Sequence, residues 1–139
     1  MKKYYAVIDT NVLVSALLKA NSVPSNLVAL VSSEIIVPIL NEEILSEYKD
    51  VLNRPKFKFS KAVITDFIEQ LEKFAIYVEG TEVDEFFPDP KDIIFYEVTM
   101  DSRTYQETRL VTGNIKHFPE RNYVVTPREM LNIILRDID

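Results

Sequence analysis

The sequence predicts an α/β fold in one domain, a mainly parallel sheet flanked by helices. Three observations predict it. Short apolar runs alternate with stretches of helical periodicity along the whole chain. The first run, Tyr4-Tyr5-Ala6-Val7-Ile8, is apolar almost throughout, which suits a strand buried on both faces of a parallel sheet. The helical stretches carry start signals, at Asn41, Ser60, Asp89-Pro90 and Thr126-Pro127-Arg128-Glu129.

Taken in order, residues 4–8 make the first strand, which ends on a carboxylate, Asp9. Thr10-Asn11 is a polar corner, and Val12, Leu13, Ala16 and Leu17 then recur at helical spacing. A second helix fills residues 22–33, with Leu27, Leu30 and Val31 as its buried side. Residues 35–37 form a short strand closed by Pro38. Asn41 caps a third helix, with Glu42 and Glu43 favourably placed in its first turn. Its apolar stripe is Ile44, Leu45, Tyr48, Val51 and Leu52, and Asn53-Arg54-Pro55 ends it. The linker that follows, residues 54–59, is basic and aromatic. Ser60 caps a fourth helix, in which Val63, Ile64, Phe67, Ile68, Leu71 and Phe74 recur at three and four. Residues 76–78 look like a strand, and residues 80–88 are an acidic connection. Asp89 then acts as N-cap, with Pro90 at the first helical position and Asp92 at the third, of a helix running to about Arg103. Residues 109–112 and 123–125 are the last strands. The capping box at Thr126 opens a final helix that buries Met130, Leu131, Ile134 and Leu135. There is no repeat, low-complexity tract or interdomain linker.

Composition narrows the function. A chain of 139 residues with 47% apolar and 27% charged residues suits one domain with a real core. No apolar run is long enough to span a bilayer, so no membrane partner is expected. Asp9 and Asn11 interrupt the early apolar stretch, and no small-residue cleavage site follows, so it does not read as a signal peptide. The absence of cysteine removes disulfides and thiolate metal sites, and fits a cytoplasmic location. Two glycines leave no GxxxxGK[ST] and no GxGxxG phosphate loop. A net charge of −6 argues against nucleic-acid binding through bulk charge, although a bound divalent cation offsets clustered carboxylates locally.

Four places bring polar groups to the carboxyl ends of the strands, where ligands gather in parallel α/β sheets. Asp9 ends the first strand. From its position alone, helix capping ranks ahead of catalysis. Glu43 and Glu47 share a helix, and geometry separates them: Glu47 lies roughly 100° from the centre of the apolar stripe and Glu43 roughly 140°. Glu47 therefore borders the buried face, whereas Glu43 points more to solvent and is explained by the helix dipole. Asp92 sits where that dipole favours an acid, and Asp89 leaves it free by supplying the cap. Glu97, five residues on, turns away from Asp92. Asn114 and His117 follow the last long strand. His117 is the single histidine, and a lone histidine is more often a structural hydrogen-bonder than a ligand. Together these groups suggest oxygen ligands for Mg²⁺ or Mn²⁺. The basic-aromatic linker offers Arg54, Lys56, Lys58 and Lys61 to phosphates and Phe57 or Phe59 to bases. Phenylalanines in the core with lysines in water, or a subunit contact, is the favoured explanation of that segment. An aspartyl-nucleophile phosphotransfer at Asp9 ranks low, because Asp9-Thr10-Asn11 lacks the second acid of Asp-x-Asp.

The stretches VIDTNVLVSALL, ILSEYKDVLNRPKF, DPKDIIFYEV and LVTGNIKHFP, in that order, resemble the PIN domain. Within it they are most like the toxin components of toxin–antitoxin systems, related to VapC ribonucleases. The resemblance implies a three-layer α/β/α sandwich and metal-dependent endonucleolytic cleavage of RNA. It implies a cognate antitoxin protein and a homodimer as partners. It puts the family's acids on Asp9, Glu47 and Asp92, which would be catalytic and would hold Mg²⁺ or Mn²⁺. Asn11 and Thr112 match supporting polar positions. The loop after the fourth strand departs from the pattern, because Asn114 and His117 stand where relatives carry aspartate. That departure implies a weaker second metal site or a one-metal mechanism. It also keeps open a second reading, a PIN-like binding module with little catalysis.

Overall fold

The computed structural model describes residues 2–138. Among them, β1 (Tyr4–Ile8), β2 (Ile36–Leu40), β3 (Ile76–Tyr77), β4 (Thr108–Val111) and β5 (Val124–Val125) form one sheet in the order β3-β2-β1-β4-β5. The pairings between these strands are all parallel. Parallel neighbours need long crossovers, and helices supply them. α1 (Thr10–Leu18) and α2 (Val23–Ser32) join β1 to β2, α3 (Glu42–Leu52) and α4 (Lys61–Phe74) join β2 to β3, and α5 (Ile93–Ser102) joins β3 to β4. α6 (Pro127–Arg136) follows β5. α5 packs on β1, β2 and β4, whereas α2 gathers α1, α4 and α6 into the opposite layer. The result is the α/β/α sandwich. Among the described residues, no single helix is long and apolar enough to cross a membrane.

β1 is the central strand, and Ala6, Val7 and Ile8 are fully buried. The chain winds outward from β1 through β2 to β3, then returns past β1 to β4 and β5. The winding reverses between β1 and β4, which makes their carboxyl ends the topological switch point. The expected caps form. Asn41 Oδ1 accepts from Ile44 N at 2.9 Å, Ser60 Oγ accepts from Val63 N at 3.1 Å, and Thr126 and Glu129 bond reciprocally. All five residues of the α3 stripe are buried.

Three details differ from expectation. β2 continues through Pro38 to Leu40. Leu40 turns its carbonyl to Val78 on the β3 side, and by alternation Pro38 faces the same side. β3 pairs with β2 only from Ile39 onward, so the missing proline N–H removes no ladder bond. Leu135 is 59% exposed, because Met130 and Ile134 already fill the inner face of α6. Val63 is likewise exposed at the start of α4, where Ile64, Ile68 and Leu71 form the buried line. The basic linker follows the core explanation: Phe57 and Phe59 stack at 5.7 Å and lie half-buried against the core, with Lys56, Lys58 and Lys61 exposed.

The acidic connection is tied down along its length. Asn41 Nδ2 donates to Glu79 O, Gly80 N donates to Asp101 Oδ2, and Tyr96 Oη donates to Glu85 Oε2. Phe87 is buried edge-on against Tyr96 and Phe118. These anchors deliver Asp89 and Asp92 to the switch point.

Tyr48 locks α3 to β1. Its buried hydroxyl donates to the carbonyl of Ile8, the residue before Asp9. Tyr48→Phe leaves that buried carbonyl without its donor and is expected to lower stability by about 1–2 kcal/mol. The check is urea unfolding: the midpoint falls with an unchanged slope, and a wild-type midpoint would show that the bond contributes nothing.

Candidate active site

The register between β1 and β4 sets Ile8 opposite Val111, so the next residues, Asp9 and Thr112, leave the sheet side by side. Their backbones extend the ladder, with Asp9 N donating to Val111 O and Thr112 N to Val125 O. Thr112, fully buried, donates from Oγ1 to Asp9 Oδ2 at 2.7 Å. Asp9 occupies the N-cap position of α1, yet its side chain makes no capping hydrogen bond. The capping explanation of this carboxylate therefore fails. The same holds for Asp92, which precedes α5 without capping it, while Asp89 accepts from Lys91 N at 3.0 Å.

The loop after β4 links the two acids. Asn11 Oδ1 accepts from Gly113 N at 3.2 Å, which braces the start of the loop. Asn114 N donates to Thr112 Oγ1 at 3.0 Å, and Asn114 Nδ2 lies 3.0 Å from His117 Nε2. His117 Nδ1 lies 3.3 Å from Asp92 Oδ2. A polar chain thus runs Asp9, Thr112, Asn114, His117, Asp92.

Glu47 is half-buried and Glu43 exposed, the orientation that the helix geometry predicts. The charge of Glu47 acts on Asp92 and is absent among the charges acting on Asp9. Glu97 feels Glu43 and Glu82 rather than the central acids. The structure therefore brings Asp9, Asp92, Thr112, Asn114 and His117 into one connected polar chain, with Glu47 near enough for its charge to act on Asp92.

Both central carboxyls are driven toward protonation. Burial raises the Asp9 pKa to about 6, and the charge of Asp92 adds to the effect. The Thr112 hydroxyl, the Thr10 amide and His117 oppose it. Asp92 also titrates above the ordinary carboxylate range, mainly through burial, then through Asp89 and Glu47, with His117 opposing. Asp92 Oδ2 is buried and lacks a well-aligned hydrogen-bond donor. Two desolvated, mutually repelling carboxylates with an orphaned oxygen are the donor set that a hard divalent cation satisfies. Among the described residues, no three acidic or histidine side chains converge closely enough to cage an ion. The site fits a cation that keeps much of its water and takes one or two protein carboxylates, the habit of Mg²⁺.

One contributor was hidden in the sequence. Tyr48 reads as a member of the apolar stripe, yet its hydroxyl pins the strand end beneath Asp9. The signal was a lone hydroxyl in an otherwise aliphatic stripe, directly after Glu47. The buried Thr10 Oγ1 also has no partner, and nothing in its sequence context marks it.

The family model described as the PIN domain matches residues 5–116 of the chain. No curated protein and no solved structure matches it.

The Asp9 shift has a thermodynamic consequence. Its folded pKa of about 6 exceeds the ordinary value of 3.8, so its favourable contribution is complete below the unfolded pKa and is lost as pH rises through the folded one. Metal-free protein is expected to lose stability between about pH 4 and pH 7, and Asp9→Asn to be more stable than wild type at about pH 8 by about 1–3 kcal/mol. Thermal unfolding in chelator measures this. A variant no more stable than wild type at the higher pH would mean that the Asp9 carboxylate carries no burial penalty.

Proposed function

The chain belongs to the PIN domain family, and on that premise we propose that it is a divalent-metal-dependent endoribonuclease that hydrolyses RNA phosphodiesters. The observation that carries this reading is the pairing of Asp9 with Asp92. Both are desolvated, neither caps its helix, and one oxygen of Asp92 is orphaned at the switch point of the sheet.

In this reading Asp9 and Asp92 hold Mg²⁺ or Mn²⁺ directly, and Glu47 adds its charge from beside Asp92. When bound, the cation lowers the pKa of a coordinated water and offsets charge on the phosphate. Thr112 fixes one oxygen of Asp9 and leaves the other for the site. Asn114 offers an amide where an acid is more usual, and so orients water or a nonbridging phosphate oxygen without adding charge. Asn11 holds the loop against α1. Single-stranded or looped RNA is the substrate, because its backbone is open to a cleft.

The shared motifs support a narrower role as the toxin of a toxin–antitoxin pair. It would act in the cytoplasm, be restrained by a cognate antitoxin protein and assemble as a homodimer. A second reading has a specific observation behind it. Asn114 and His117 replace acids and, among the described residues, no three ligands converge, which suits a binding module with little catalysis, working through such a partner.

Purified protein is expected to cleave structured RNA in Mn²⁺ and to stop in EDTA. Asp9→Asn and Asp92→Asn are expected to lose about 100-fold or more, the scale of a single charge-stabilising group, and Glu47→Gln about 10-fold. Gel analysis of the products decides. Cleavage that survives chelator or Asp9→Asn would overturn the nuclease reading, and Mn²⁺ binding too weak to measure, without cleavage, would favour the binding module.

A further inference from the structure

His117 stands between Asp92 and Asn114 with both ring nitrogens engaged. Its Nδ1 faces a carboxylate oxygen at 3.3 Å. Against an ionised Asp92 a bare Nδ1 would set lone pair against lone pair, whereas a protonated Nδ1 makes the contact favourable. A neutral ring then has its acceptor at Nε2, which lies 3.0 Å from the amide nitrogen of Asn114. Nδ2 of Asn114 is the donor in that contact, so the orientation of the whole amide follows from the ring. Neither nitrogen is left to ligate an ion.

We propose that His117 is a positioning residue: through Nδ1–H toward Asp92 and Nε2 toward Asn114 it clamps the Asp92 carboxylate to the Asn114 amide. The clamp closes the chain of contacts that begins at Asp9 and Thr112, so the two acids are set relative to each other through the β4 loop. An aspartate at position 117 would add a further negative charge beside Asp92. The imidazole instead places a ring nitrogen 3.3 Å from Asp92 Oδ2 without adding an acid. Phe118, buried against Phe87, fixes the backbone next to the ring. The inference rests on the site assigned above, but its first test is independent of catalysis.

The chain has one histidine, so the ring ¹⁵N resonances belong to a single residue. In metal-free protein at about pH 8, above the ordinary imidazole range, NMR is expected to find the Nδ1–H tautomer. Asn114→Ala is expected to shift the ring toward Nε2–H. A wild-type ring that is mainly Nε2–H, or that averages between tautomers, overturns the proposal. Calorimetry with Mn²⁺ is the second test. His117→Ala is expected to weaken binding about 10-fold or more, and His117→Gln, which keeps a donor, to restore most of it. Wild-type affinity in His117→Ala overturns the proposal as well. If that variant does not fold, or wild type binds no Mn²⁺, the tautomer decides alone. An Nδ1–H ring in a protein that cleaves no RNA would uphold the clamp and reject the nuclease reading. Cleavage by a protein with an Nε2–H ring would do the reverse.

Discussion

The structure depends on a carboxylate buried at the end of its central strand. Asp9 is 6% exposed, follows the central strand of the sheet, and has one side-chain donor, Thr112. Burying a carboxylate without full compensation is unfavourable, and the fold surrounds this one with constraints instead of solvating it. Tyr48 holds the strand end from α3, the β4 ladder holds the backbone, and Thr112 holds the oxygen. Asp92 then raises the cost by bringing a second charge close. A fold selected for stability alone would place an asparagine or serine at position 9, either of which caps a helix without a buried charge. Retaining an acid that neither caps nor pairs with a cation of the chain is the mark of a residue held for a ligand.

The switch point explains why the groups come from such distant parts of the sequence. Asp9 and Thr112 are neighbours because β4 inserts beside β1 instead of beside β3. Glu47 arrives with α3, and Asp92 arrives because the acidic connection is anchored at Glu79, Gly80, Glu85 and Phe87 before α5 begins. Each acid therefore sits on or next to a regular element whose own packing is independent of the site. The loop of Asn114 and His117 is the exception, and its side chains are the ones locked by contacts within the polar chain itself.

The layers of the fold were legible in the sequence because hydrophobic period and capping chemistry are local properties. The α3 stripe, the Asn41, Ser60 and Thr126 caps and the buried β1 all follow from residues within a turn or two of one another. Pro38 and Leu135 were misjudged for a non-local reason. Whether a proline removes a ladder bond depends on where the neighbouring strand begins, and whether a leucine is buried depends on how much inner face its helix has left. The site divides along the same line. The half-buried position of Glu47 follows from helix geometry, whereas the contacts among Thr112, Asn114, His117 and Asp92 follow from the path of a loop, which no period encodes.

Charge sets the last constraint. At a net charge of −6 the chain offers RNA no long-range attraction, and Asp89 and Glu47 add their charge to that of Asp92. Exposed Lys56 and Lys58 stand on the linker and exposed Lys61 on α4, and Lys91 and Lys116 flank Asp92 and His117. In the proposed reading, a cation held by Asp9 and Asp92 would offset their charge at the site itself, where a phosphate would approach. In that reading substrate binding and catalysis would be coupled through the cation. In this light Asn114 and His117 have a physical sense: they join Asp9 and Asp92 in one polar chain without adding a carboxylate to a site that already holds two.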